Sequence, residues 1–340
     1  MVVEEKIRSV YKLGGSTLVM SLPKTWTESI KLKKGDKLSV HIEKDGSLSL
    51  SPRNPTGRDV RMVELSINTL NVDDLERKII SKYINGYSHL KLKAINGPFT
   101  SNHHSIIRGS VSKLIGLNIM ELTSEEVSIQ SLLDPAELPI RKGLERTHVL
   151  ASSMLRGALT AIMTSDDLMS KNILKMRIDL TRFYYLVLRQ LRSSLLRSAV
   201  LRRLNMEPID CLDALSASQI IIRVAKNVER ILKNIIGLRN YRIPDELAIL
   251  VKAFGEKALN IYEKSANAFL NNLPLNFSVS VAQSNFNAES LTLTTNLAEA
   301  RKEGVPCEVM CHIIQIVDRM GRIGDYGLEL AETIIYNSIR

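Results

Sequence analysis

Long apolar runs are missing from this chain of 340 residues, and none approaches the roughly 18 residues that a membrane-spanning helix needs. The first ten residues, MVVEEKIRSV, lack the apolar core of a secretion signal, so a cytoplasmic location with no membrane insertion is expected. Cysteine is scarce, at Cys211, Cys307 and Cys311 only, which excludes a disulfide framework and fits a reducing compartment. Catalytic signatures are missing too. There is no G-x-x-x-x-G-K-[ST], no strand-linked G-x-G-x-x-G, no H-E-x-x-H and no G-x-S-x-G, and the six histidines show no ligand spacing. These absences argue against an enzyme.

What is present is globular composition, 44% hydrophobic and 24% charged, in a chain long enough for two or three domains. The net charge of +10 favours a polyanionic partner. The surplus is marked near the start, with eleven Lys or Arg against six Asp or Glu between Met1 and Arg58.

That same stretch has a legible order of elements. Strand-like runs at Lys6–Tyr11 and Thr17–Leu22 flank a turn at Gly14–Gly15, and a short helix follows from Pro23 to Ile30, with Pro23 suited to its first position. Two alternating strands, Lys37–Ile42 and Ser47–Leu50, are joined at Asp45–Gly46. Fewer than about 60 residues of thin strands bury too little apolar surface to stand alone, so a second copy from another chain is expected. The order, with G-S-x-x-V-x-L-P-K-x-W followed by L-K-K-G-D, resembles the AbrB/SpoVT/MazE swapped-hairpin family of DNA-binding domains. The resemblance implies a homodimer, or a higher oligomer, whose interlocked barrel reads double-stranded DNA with basic residues. It points to Arg8, Lys12 and Lys24 as phosphate or base-edge contacts, with Lys33 and Lys34 at a turn as further DNA-binding candidates. Trp26, the sole tryptophan, reads as a plug of the barrel core.

The linker Ser51–Gly57 (SPRNPTG) separates this unit from a strand at Val60–Ile67. Asn71 is a candidate cap for a helix carrying Leu75, Ile79 and Tyr83 on one face and ended by Gly86. A strand at His89–Ala94, a helix from Ser101 to Ile115 stopped by Gly116, and strands at Leu117–Leu122 and Glu126–Leu132 complete a βαβαββ domain. The adjacent His103 and His104 point about 100° apart on a helix and do not make a metal pair.

Beyond Pro135 and Pro139 the pattern turns helical. Leu144, His148, Ala151, Leu155, Ala158 and Ile162 share one face; Leu180, Tyr184, Val187, Leu191 and Leu195 share a second; Ala217, Ile221, Val224, Val228, Ile231 and Ile235 share a third. Leu247, Phe254, Ala258, Ile261 and Phe269 line a fourth helix opened by Pro244, and Phe277 to Arg301 a weaker fifth. Val309, Ile313, Ile316, Met320, Ile323, Gly327, Leu330 and Ile334 keep a bundle rhythm over a sixth. Two sets of three helices suggest an internal duplication.

LLDPAELPI, DLTRFYYLVLRQL, VERILKN and GRIGDYGLELAETII are similar to segments of the PhoU family of phosphate-signalling proteins. Archaeal members of that family place such a region behind an AbrB-like start. The resemblance implies regulation of phosphate uptake through a transporter, a signalling protein or a promoter. Its E-R-I-A-D motif sets two carboxylates on one helix face as metal ligands. Here both copies are degenerate: Lys233 stands where the carboxylate after Glu229 belongs, and Gly321 where the one before Asp325 belongs. Asp179 is followed by Thr181 rather than a second Asp. Lys233 is expected to pair with Glu229 and fill the cation's place, so no metal or other cofactor is expected. Arg177, Arg182, Arg189, Arg192, Arg197, Arg202 and Arg203 read as a solvated face or, more sharply, as an anion-contact surface. Phe183 and Tyr184 read as core rather than a stacking platform. Cys307-x-x-x-Cys311 reads as buried packing rather than a metal site.

The sequence therefore predicts an α+β multidomain chain. Residues 1–53 form a dimeric swapped-hairpin β-barrel, 58–136 a small α/β domain, and 137–240 and 241–340 an all-α, PhoU-like pair of three-helix bundles. The function expected is a dimeric transcriptional regulator of the phosphate-uptake type. The alternative is an adaptor that does not bind DNA, dimerises through its N-terminal module and regulates a phosphate transporter or sensor protein. An antitoxin is disfavoured by the length of chain that follows the first module.

Overall fold

A computed structural model describes residues 7–43, 46–52, 61–69, 74–134, 137–164, 166–238, 241, 243–302 and 305–338. The chain forms two compact units, Met1–Asp59 and Val60–Arg340.

In the first unit β1 (Val10–Leu13) pairs antiparallel with β2 (Thr17–Met20), and β3 (Leu38–Ile42) with β4 (Leu48–Pro52). The first hairpin lies later than its apolar run suggests. Gly14, at φ +67°, makes the turn that fixes Leu13 opposite Thr17, so pairing counts outward from there and ends at Val10. The short helix α1 (Lys24–Ser29) begins one residue after Pro23, which stays extended at ψ 127° and offers its carbonyl to the N–H groups of Trp26 and Thr27. Asp45 lies outside the described residues. None of the described residues of this unit is buried, and Trp26 is only half-buried. Apolar side chains that a core would cover stand open, with Ile7 88%, Leu18 70% and Ile42 80% exposed.

The second unit begins with a two-layer α/β domain: β5 (Met62–Asn68), α2 (Leu75–Ile84), β6 (His89–Ile95), α3 (Ser101–Ser112), β7 (Leu117–Leu122) and β8 (Glu126–Ser131). The sheet order is β5-β6-β8-β7, with β5 and β6 parallel and the other pairs antiparallel. Alternation decides the faces. Leu90 and Leu92 point into a core with Ile79, Tyr83, Ile107 and Ile129. Lys91 and Lys93 point to the open face, where they pair with Glu126 (2.6 Å) and Glu64 (2.9 Å). Helix α3 stops at Ser112, short of the expected Ile115, because the chain tightens there to bury Leu114 before Gly116 reverses it at φ +84°. Asn71 lies outside the described residues; α2 starts at Leu75 after Asp74, itself left-handed at φ +68°.

The helices that follow are α4 (Ile140–Thr164), α5 (Asp167–Leu196), α6 (Ser198–Arg203), α7 (Pro208–Gly237), α8 (Asp245–Asn271), α9 (Val279–Lys302) and α10 (Cys307–Ser338). The apolar faces read for α4 and α7 are buried throughout. Two details differ from expectation. The short helix α6 follows α5 directly, and Leu195 is 51% exposed. The last turns of α5 present Arg189, Gln190, Ser193 and Ser194 inward, because small serines let the end of α2 come close, and Leu195 is turned outward. Both sets of three helices contribute to one continuous hydrophobic core.

Candidate functional site

The five basic residues expected to meet DNA are all exposed in the first unit. Arg8 precedes β1, and Lys12 lies on β1 opposite Leu18. Lys24 opens α1, its Nζ 3.8 Å from Glu28 Oε1. Lys33 and Lys34 sit in a turn whose shape is set locally: the Lys33 N–H donates to Asp36 Oδ2 at 2.7 Å, and the Asp36 N–H donates back to the Lys33 carbonyl. The turn is thus built by Asp36, and the two lysine side chains play no part in those bonds. That leaves both ammonium groups at the surface.

The two degenerate carboxylate motifs have different surroundings. On α7, Lys233 Nζ lies 2.6 Å from Glu229 Oε1, the pairing expected from the sequence. A second cation that the sequence did not signal, Arg177 of α5, places Nε 3.5 Å from Glu229 Oε2. The Arg177 guanidinium also donates to Thr181 Oγ1 one turn along. Burial works against the charge of Arg177 and the Glu229 carboxylate works for it. Glu229 therefore has a cation on each oxygen and offers no free pair of oxygens to a metal. On α10, Gly321 and Asp325 line a half-open groove of about 1150 Å³ between α9 and α10. Partial burial raises the Asp325 carboxyl above its ordinary range, an effect that Arg322 opposes. Among the described residues, no cluster of three or more His, Cys, Asp or Glu side chains could hold a metal ion. The residues present do not fit the family's carboxylate metal site.

The arginines of α5 and α6 form neither a continuous solvated face nor a free anion-contact surface. Arg189 is 2% exposed and donates to the carbonyls of Tyr83 (2.6 Å) and Tyr87 (2.8 Å). These acceptors lie at and just beyond the C-terminal end of α2, where carbonyls lack helical partners and the helix dipole is negative. Arg192 donates to Asn85 Oδ1 at 2.6 Å, and Arg203 pairs with Asp134 at 2.9 Å. Arg182 reaches Asp179 at 3.4 Å, while Arg197 and Arg202 are also engaged. Much of this positive charge therefore fastens the helical region to the α/β domain. No periodicity in the sequence marks that role, because the acceptors, backbone carbonyls for Arg189 and side chains for Arg192 and Arg203, lie 69 to 107 residues away.

Several smaller readings also resolve. His103 closes a capping box with Thr100, and His104 Nε2 lies 3.2 Å from the Thr123 carbonyl, so the two rings serve separate structural contacts. Phe183 and Tyr184 are half-buried against the helical core. Cys307 and Cys311 are exposed rather than buried, because their side of α10 lies along the groove while Val309 and Ile313 of the same turns are buried and His312 meets Asn234 of α7. Cys211 is buried, and desolvation pushes its thiol up to about 11.

Residues 11–58 match the family model described as antidote-toxin recognition MazE, bacterial antitoxin. No curated protein matches the chain. Among solved structures, PhoU from Pseudomonas aeruginosa is similar over 59% of this chain and 95% of its own, at 17% identity and a TM-score of 0.52. A putative PhoU-like phosphate regulatory protein from Shewanella oneidensis MR-1 is similar over 61% of this chain and 100% of its own, at 15% identity and a TM-score of 0.44, too weak to carry an argument. The chain thus carries a MazE/AbrB-type domain at its N-terminus, and its helical region shares the fold of PhoU. No helix among the described residues is long and apolar enough to cross a membrane.

Proposed function

We propose that the chain is a homodimeric, non-enzymatic, DNA-binding regulator of phosphate uptake. Its N-terminal unit is the reading head and its helical region the part that meets an effector or partner. The observation that carries this reading is the open apolar surface of the first unit, Ile7, Leu18 and Ile42 among it, in a segment that matches the MazE model. Isolated two-stranded hairpins are marginal in water. Interlocking with a second copy covers those side chains and doubles the basic surface that carries Arg8, Lys12, Lys24, Lys33 and Lys34. The PhoU fold of the helical region supports the phosphate side of the proposal. We assign residues 1–53 to the reading head, 58–136 to a joining domain, and 137–240 and 241–340 to the two halves of the helical body.

The test is duplex binding by the full chain and by a truncated chain starting at Val60, over a range of salt. Binding by the full chain alone, with log K falling at roughly 0.9 per neutralised phosphate, is the expected result. Equal binding by both removes the head from its role. Binding by neither favours the adaptor, which uses the N-terminal unit only to dimerise.

A further inference from the structure

The groove between α9 and α10 has more room than the roughly 300–1,000 Å³ of a small-ligand cleft. It is also long. Its lining on α10 runs from Cys307 to Asp325, about 27 Å at the α-helical rise of about 1.5 Å per residue. The floor is apolar, with Leu297, Met310 and Val317 buried, while Ile314 stands 52% exposed along the same groove. At Gly321 an added Cβ would meet nothing within 4 Å. In the first helical set the corresponding motif carries its own cations, Lys233 and Arg177. In the second, Arg322 is bonded to Asp318 at 3.3 Å and acts on the exposed Asp325 only through its charge, with no hydrogen bond or ion pair to Asp325 among the described residues.

We propose that this groove receives an amphipathic α-helix of a partner protein, with a Lys or Arg of that helix meeting Asp325. A long groove between two helices suits the helix-in-groove mode, in which residues at i, i+3, i+4 and i+7 anchor the ligand. The incoming helix would supply a fourth member to the set of α8, α9 and α10. Charge complementarity selects a basic helix: of the two carboxylates in the lining, Asp318 is already paired with Arg322 (3.3 Å) and Arg319 (3.4 Å), which leaves Asp325 as the acid without an ion pair among the described residues. The proposal does not rest on DNA binding by the N-terminal unit.

Cys307 and Cys311 serve as reporters, because both are exposed in the groove lining while Cys211 is buried. The experiment follows alkylation of the full chain by mass spectrometry. The probes are a synthetic 18-residue amphipathic helix with a terminal lysine, its glutamate counterpart, and tetraphenylphosphonium. The lysine peptide should slow alkylation of both thiols at least tenfold, and the glutamate peptide at least fivefold less. Asp325→Asn should erase that difference, and Ile314→Ser should weaken both peptides. Equal protection by both peptides, or none by either, overturns the proposal. Full protection by tetraphenylphosphonium alone reassigns the groove to a small cation. Protection that grows with protein concentration, without any probe, reassigns it to a second copy of the chain.

Discussion

Arg189 and Tyr83 make two contacts at once: the guanidinium lies 4.7 Å from the Tyr83 ring centroid and donates to the Tyr83 carbonyl at 2.6 Å. Burial lowers the affinity of Arg189 for its proton and raises the Tyr83 hydroxyl, yet that hydroxyl donates to the Ile115 carbonyl at 2.9 Å. The pair joins the α/β domain to α5. Arg189→Leu leaves two carbonyls short of a donor and should cost on the order of 3 kcal/mol. Arg189→Lys should recover part of that loss, because an ammonium cannot both stack and fork. Urea unfolding followed at the Tyr83 side and in the helices should separate into two transitions for the leucine variant. A single transition at the original midpoint would count against the joint.

Glu229 distinguishes a surface pair from a half-buried one. Lys233 is 62% exposed at its side chain, so Lys233→Ala should change stability by no more than about 0.5 kcal/mol. Arg177 is 17% exposed and also bonds Thr181, so Arg177→Ala should cost on the order of 1–2 kcal/mol. Equal costs in urea titrations would show that the Arg177 contact is incidental.

His148 supplies a pH dependence. Its Nδ1 lies 3.2 Å from Tyr262 Oη, and burial lowers its pKa; Glu263 acts in the opposite direction and Arg156 in the same one. The unfolded chain then binds the proton more readily than the folded one. The contribution is complete above the unfolded value of about 6.5 and is lost as pH falls towards the lowered folded value. Thermal melts should show His148→Gln flattening the loss of stability on the acid side of neutrality. A parallel acid limb in both proteins would refute the assignment.

Lys12 and Arg8 test the reading head more finely than truncation does. If each meets a phosphate, replacing either by Ala should reduce the slope of log K against log salt by about 0.9 and weaken all duplex sequences alike. A change confined to one base position would instead mark a base-edge contact.

Two glycines of α10 should behave oppositely. A Cβ at Gly327 would lie 2.8 Å from backbone atoms of Tyr262 on α8, where no side chain can swing away. Gly327→Ala should therefore cost on the order of 2 kcal/mol. Gly321 faces open space, and Gly321→Ala should stabilise by up to about 1 kcal/mol through helix propensity. Thermal midpoints moving in the same direction would show that the close approach of α8 and α10 is misplaced.

Periodicity and local chemistry made much of the fold legible. The stepping of Ala217 to Ile235 and the alternation of Leu90 and Leu92 against Lys91 and Lys93 depend only on neighbours along the chain, and those residues fall on the faces expected. The Glu229–Lys233 pair was legible for the same reason, since one helical turn brings i and i+4 together. The two N-terminal hairpins and the short helix between them were legible from the order of strands and turns along the chain. Arg177 beside Glu229, Arg189 at the end of α2 and the exposure of Cys307 and Cys311 were decided only by the tertiary structure. Each depends on which helix lies opposite, and a sequence that specifies the apolar stripe of every helix does not specify which backbone carbonyl or open groove its remaining side chains will meet.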